Sequence, residues 1–328
     1  MVESKTIKLT VAEDLVGLRA DIGLAKAGVF NTRSQVKKIF TDKKVIVNGK
    51  YIKPSQILQL GDDIQVEVPL QLEEWLAPYD FPLDIYYEDE EVLVLNKPAG
   101  LVVHPAAGHR NDTLINALIA HHKTLSPGSS PYRPGLVHRI DKDTSGLLVL
   151  AKDEKTHSSL AKQFLRKTVH RVYWAIVFGC PKEKTGTITS YISRSPNDRK
   201  KFMATQEADG EKKGYKHAIT HYEVLQSTGA MSLVQLKLET GRTHQIRVHM
   251  SSIAHPIAGD DTYGGKKRAN SLASQQLKKL ILEMPRFALH AKELGFTHPV
   301  KQERFTFNSA WPDDLRKLAE LSHLEVPQ

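Results

Sequence analysis

One cysteine, Cys180, stands in 328 residues, so no disulfide can form within the chain. No apolar run approaches the roughly 20 residues that a membrane-spanning helix needs. The opening stretch MVESKTIKLT has no apolar core behind basic residues of the kind that marks a secretory signal. These absences set the expectation of a soluble cytoplasmic protein without membrane attachment. There is also no Walker A loop and no Gly-x-Gly-x-x-Gly, the usual cradles for nucleotide phosphates. The 15 histidines come without a His-Glu-x-x-His helix or clustered cysteines. The pairs His217/His221 and His244/His249 are therefore expected to hydrogen-bond rather than to hold a metal.

Basic residues are what the chain has in excess, with 46 Lys+Arg against 37 Asp+Glu and a formal net charge of +9. An anionic partner follows more readily than a cationic one. The charges cluster, at Lys37-Lys38, Lys43-Lys44, Arg166-Lys167, Arg199-Lys200-Lys201 and Lys266-Lys267-Arg268. At this length one large domain and one small one are expected, with ample core.

Residues 1–16 read as an N-terminal extension and 17–70 as a small domain: two short helical stretches near 18–28 and 33–42, then β-branched runs split by Asn48-Gly49, a hairpin signal. The second helix carries Arg33, Lys37 and Lys38, with Lys44 and Lys50 following, a basic face suited to phosphates although lysine runs are often only solvated surface. Residues 71–84, rich in Pro and acid, read as a linker. From 85 to 328 strands are predicted at 91–97, 146–151, 171–178 and 231–239, and helices at 112–122, 154–167 and after Gly241. That order suits a mixed α+β domain on a mainly antiparallel sheet better than a βαβ series.

The densest chemistry lies in His138-Arg139-Ile140-Asp141-Lys142-Asp143-Thr144-Ser145-Gly146, directly before an apolar run. It opens like a calcium loop, but position twelve is Lys152 where a bidentate acid is needed. His138, Asp141 and Ser145 supply hydrolase residue types, yet no Gly-x-Ser-x-Gly elbow accompanies them. Two readings stay open on the residues alone: a reactive acid beside a base and hydroxyls, or a turn whose side chains satisfy backbone amides.

Two resemblances weigh on this. Residues Arg19, Asp21, Thr32-Arg33-Ser34 and Val45-Ile46-Val47-Asn48-Gly49-Lys50 resemble an S4 RNA-binding domain, with Leu18-Arg19-Ala20-Asp21 departing from the usual opening. The nine residues from His138 to Gly146, with Leu95-Asn96-Lys97-Pro98-Ala99-Gly100-Leu101 before and Gly241-Arg242-Thr243-His244-Gln245-Ile246-Arg247-Val248-His249-Met250 after, resemble the pseudouridine synthases of the RluA/RluD class from about residue 85 to 310. The resemblance implies cofactor-free isomerisation of uridine: the base leaves its ribose at N1, turns, and rejoins through C5.

It further implies that Asp141 is the catalytic carboxylate, as nucleophile or as base at the sugar, and that Arg247 is its cationic partner, favouring ionisation. Arg247 is expected in a helix capped by Thr243 and buried through Ile246, Met250 and Ile253. Tyr173 matches the tyrosine that stacks on uracil and helps remove the C5 proton. Arg139 is placed to fill the space left by a flipped base, Leu289 to floor the pocket, and His138, Thr144 and Arg242 to contact substrate. RNA affinity is expected from Arg33, Lys37, Lys38, Lys44 and Lys50 and from the clusters at 199–201 and 266–268. The expected substrate is large-subunit (23S) ribosomal RNA or a precursor subunit, and the expected protein a monomer. Two alternatives are carried forward: a tRNA substrate, or a noncatalytic RNA-binding or ribosome-assembly protein. A pure binder, however, gains nothing from an anion such as Asp141 facing phosphates.

Overall fold

The computed structural model describes residues 4–27, 36, 39–69, 77–106, 108–121, 125–126, 134–198 and 201–327. Arg33, Lys37 and Lys38, the pair Arg199-Lys200 and residues 71–76 of the expected linker lie outside the described residues. The chain divides into two units, Met1–Asp80 with His104–Pro134, and Phe81–Val103 with Gly135–Gln328. No helix among the described residues is long and apolar enough to cross a membrane.

In the first unit, strands β1 (Ser4–Thr10), β2 (Val45–Val47), β3 (Lys50–Tyr51) and β4 (Asp63–Pro69) form a sheet in the order β1-β4-β2-β3. Ser4–Thr10 is thus an edge strand paired in register from Ser4–Pro69 to Thr10–Asp63, within the stretch expected as an extension over 1–16. Alternation in Ile7 and Leu9 buries part of one face, which drives the pairing. Asn48 and Gly49 both take positive φ (49° and 77°), as a two-residue type I′ hairpin requires, and the hairpin joins β2 to β3 as predicted. Leu24 of helix Ala20–Lys26 packs with Val45, Val47, Ile64 and Val66. Helix Leu114–His121 also groups here rather than with the second unit, and Asn116 ties it to the chain near 77 through a bond to the Ala77 carbonyl.

The second unit is one mixed sheet of ten strands: β5 (Asp84–Glu88), β6 (Val92–Lys97), β7 (Ser145–Ala151), β8 (His170–Phe178), β9 (Thr185–Arg194), β10 (Phe202–Thr205), β11 (Lys216–Ser227), β12 (Met231–Leu238), β13 (Leu289–Thr297) and β14 (Arg304–Asn308). Its order is β10-β9-β11-β12-β8-β13-β7-β6-β5, with β14 on β13, and only β7–β13 is parallel. The mainly antiparallel α+β expectation therefore holds. Strand β7 is buried along its whole length, which is why its sequence is an unbroken apolar run rather than an alternation. One face, through Leu147, Val149 and Ala151, packs with Val92, Val94, Leu160 and Phe296. Leu160 comes from helix Glu154–Leu165, which Asp153 caps by accepting the Thr156 amide.

Candidate active site

Strand β7 sets the site by fixing the chain just before it. Gly146 has φ +116°, and a Cβ there would lie 2.3 Å from the Ala291 carbonyl oxygen of β13, so only glycine lets the two backbones approach. The preceding loop is pinned from below by Lys97, whose side chain is fully buried. Its ammonium donates to the carbonyls of Pro98 (2.6 Å), Leu101 (2.9 Å) and Lys142 (2.9 Å), tying two of the three motifs together. Burial pushes Lys97 down to about 7, with Asp143 and Asp141 opposing. The Gly100 amide adds a bond to the Lys142 carbonyl, and the Thr144 amide donates to the Asp141 carbonyl. Behind the loop, Ser145 Oγ accepts from Arg286 and bonds His290 Nδ1, while Arg286 holds Asp314. Burial pushes His290 down to about 3, so its ring there is neutral.

Asp141 opens into a cleft walled also by Arg139, Thr144, Tyr173, Arg242, Arg247 and Leu289. Four separate segments, 139–144, 171–173, 238–247 and the start of β13 at Leu289, converge there. The Asp141 side chain keeps 18% of its surface, and its Oδ2 accepts from Arg247 Nη1 at 3.3 Å. Arg247 is held far more firmly elsewhere. Its Nε and Nη2 donate to the two oxygens of Asp260 at 2.7 and 3.0 Å, and its guanidinium lies over the rings of Phe287 (4.1 Å) and Tyr263 (4.9 Å). Burial opposes the Arg247 charge, but Asp260 and then Asp141 outweigh it and raise its pKa. A planar, permanently charged group clamped along its Nε–Nη2 edge and packed against two rings presents an Nη1 N–H to Asp141.

The helix carrying Arg247, Gln245–Ser252, does not start as expected. Thr243 caps nothing; the chain enters through His244 in the left-handed conformation (φ 56°). The Gln245 side chain folds back, accepting the Arg242 amide and the Thr240 hydroxyl and donating to the Ile219 carbonyl. Burial extends from Gln245 through Met250 on all sides, whereas Ile253 is only half-buried. Of the histidine pairs, His249 bonds Thr220 and Ser190, His244 bonds Tyr263, and His221 bonds Thr187 and Glu239.

Tyr173 projects from β8 into the cleft wall, 6% exposed; burial raises its pKa, partly offset by Arg171, so it stands as a neutral phenol. Leu289, at the start of β13, and Thr144 are buried cleft residues, while Arg139 and Arg242 are exposed on the rim. His138 departs from expectation: its ring stacks on Phe164 (4.6 Å), its Nε2 accepts the Val149 amide, and it faces a neighbouring groove instead of the cleft. Burial, with Arg171 adding, pushes it down to about 3. In the first unit Lys44 pairs with Glu67 at 3.4 Å and Lys50 is exposed. Asp260, Tyr263, Phe287 and Arg171 went unread in the sequence because nothing in their spacing distinguishes them. The run Gly259-Asp260-Asp261 was the sole cue to a carboxylate near the Arg247 helix.

Among the described residues Asp89, Glu91 and His298 could offer a metal their ligand atoms, which lie within 4.8 Å of one another. Those of His298 and Asp89 are engaged: His298 Nε2 bonds Asp89 at 3.0 Å, His298 Nδ1 accepts the Lys301 amide, and the Lys301 ammonium also sits on Asp89. The knot ties the β5–β6 hairpin to the β13–β14 hairpin.

A sheet of this topology with an acid, an arginine, a tyrosine and a leucine around one cleft defines a class, and comparison agrees: the RNA pseudouridylate synthase family model matches residues 91–252 and the S4 domain model residues 18–64. The chain belongs to the RNA pseudouridine synthase family, isomerases acting on RNA. It is 43% identical over 316 residues to the uncharacterized RNA pseudouridine synthase YlyB of Bacillus subtilis, covering 96% of this chain and 97% of that one. It is 42% identical to the ribosomal large subunit pseudouridine synthase D of Pseudomonas aeruginosa, covering 94% and 93% respectively. Among solved structures, human RNA pseudouridylate synthase domain containing 4 aligns with a TM-score of 0.56 at 27% identity over 75% of this chain and 95% of that one. Family membership removes the noncatalytic alternative.

Proposed function

We propose that the protein isomerises specific uridines of large-subunit ribosomal RNA to pseudouridine, with Asp141 as the catalytic carboxylate and the target base flipped into the cleft. The observation that carries this reading is the Asp141–Arg247 pair: a carboxylate still open to the cleft, bonded to a guanidinium that Asp260 and two rings hold rigid. Such preorganisation keeps the carboxylate aimed without reorganisation during reaction. The ribosomal reading draws on the relatives named large subunit pseudouridine synthase D and on the S4 domain.

The reaction is an isomerisation. The C1′–N1 bond breaks, a C1′–C5 bond forms, the C5 proton leaves and N1 gains one. Asp141 acts at the sugar, as nucleophile at C1′ or as base. Tyr173, a buried neutral phenol, stacks on the uracil over Leu289; accepting the C5 proton would first require it to lose its own, so stacking is the role assigned to it. Arg139, exposed on the rim beside Asp141, enters the space vacated by the flipped base or grips its phosphate. Arg242 and Thr144 complete the contacts to substrate. The test is tritium release from large-subunit rRNA labelled at uridine C5, comparing wild type with Asp141→Asn. Release by the wild type alone, with RNA binding equal in both, is expected. Release by Asp141→Asn at the wild-type rate would overturn the assignment, and release from tRNA but not rRNA would reassign the substrate.

A further inference from the structure

Three arginines are buried among the described residues, and two of them, Arg247 and Arg286, each grip an aspartate bidentately through Nε and Nη2. The third, Arg171, is 7% exposed and has no carboxylate partner among the described residues. It stands two residues before Tyr173 on β8, so both side chains share a face. Its Nη2 makes one long bond to the Leu238 carbonyl (3.3 Å), its guanidinium lies 5.4 Å from the Phe164 ring, and its Nε has no hydrogen-bond partner.

Arg171 lines both the Asp141 cleft and the groove that continues from it, where Arg139 and Arg242 recur and Lys167 joins them. The groove has one acid, Glu239, already bonded to Lys167 (2.9 Å) and His221 (2.8 Å). A buried cation with an unused donor is costly unless an anion reaches it. The groove's continuity with the cleft and its excess of cations identify that anion by charge and by place.

We propose that Arg171, with Arg242 and Arg139 on the rim, binds a backbone phosphate of the nucleotide adjoining the flipped uridine, on the same RNA strand. The subsite rests on the reading that the uridine occupies the Asp141 cleft. It explains why this guanidinium is left without a protein anion: an internal carboxylate would repel the strand that must pass.

The experiment compares wild type, Arg171→Gln and Arg171→Lys in three measurements. In tritium release from C5-labelled large-subunit rRNA, Arg171→Gln should raise KM about tenfold with kcat little changed, and Arg171→Lys should recover most of the loss. In binding to a twelve-residue uridine oligonucleotide, Arg171→Gln should lower the log–log salt slope by about 0.7, one phosphate on a single strand. The thermal midpoint of the free protein should be unchanged or raised in Arg171→Gln, since loss of a structural guanidinium would lower it. Unaltered KM and slope, or a lowered midpoint with the slope kept, would overturn the subsite. Absence of any release by the wild type would instead sink the uridine reading, and the oligonucleotide slope alone would then decide for or against the phosphate contact.

Discussion

Two buried arginines line the same cleft, and they are built in opposite ways. Arg247 is matched by two carboxylates and enclosed by two rings, whereas Arg171 meets one carbonyl and one ring and leaves a donor unused. The first is complete before substrate arrives; the second is completed by an anion from outside. The contrast teaches that burial alone does not tell a structural cation from a recognition cation. What separates them is whether the protein itself supplies the counter-charge.

The largest effect should come from breaking the complete side. Arg247→Met leaves Asp260, 1% exposed, as an uncompensated buried anion, and a loss of about 3–5 kcal/mol is expected in urea unfolding. Adding Asp260→Leu should restore more than half of that stability, because removing both charges costs far less than removing one. Tritium release should stay absent in both variants. Wild-type stability in the single variant would break the comparison.

Lys97 lies between the two arginines in kind, since its counter-charge comes from three carbonyl dipoles. Its folded pKa of about 7 lies below the unfolded value of about 10.4. Between those values the unfolded chain holds the proton and the folded chain does not, so this group makes stability rise with pH from about 7 to about 10. Lys97→Met abolishes that rise and strands three carbonyls, at about 1–3 kcal/mol. The variant's deficit should therefore be larger at pH 9 than at pH 6, and an equal deficit at both would count against the depressed pKa.

A smaller effect of opposite sign sharpens the contrast. Arg171→Met removes a buried charge that has no carboxylate partner among the described residues, so the free protein should gain between zero and about 1 kcal/mol. Loss of more than about 1 kcal/mol would place Arg171 in the same structural class as Arg247.

The sequence made one half of this contrast legible and hid the other. Asp141 and Arg247 were readable because they sit in ordered motifs, Tyr173 and Leu289 only through the family resemblance, and the fold class because strand runs and the Asn48-Gly49 turn follow local rules. Asp260 was not, since it meets Arg247 only after the helix Gln245–Ser252 ends and the chain turns back. Arg171 was hidden in plain view within Arg171-Val172-Tyr173, because a missing partner is a property of three dimensions. His138 was misplaced because a motif gives residue order but not side-chain direction, and its ring turned to Phe164. The Thr243 cap failed because His244 adopts a conformation that residue types seldom announce.

The smallest effect belongs to cations that water already compensates. Lys50 is exposed on β3, and Lys44 is half-shielded by Glu67 at 3.4 Å. Neither takes part in the chemistry assigned to the second unit, so each is expected to add to RNA affinity through counterion release alone. Lys50→Gln should weaken rRNA binding about threefold at about 50 mM salt and much less at about 200 mM, where screening has removed most of the term. Lys44→Gln should do less, because Glu67 has already cancelled part of its field and is left exposed, opposing phosphate, when the lysine goes. Single-turnover tritium release at saturating RNA should match wild type in both. A fall in that rate with affinity intact would mean that the S4 domain acts on the chemical step, and the division between a recognition cation and a mere counter-charge would then have to be drawn elsewhere.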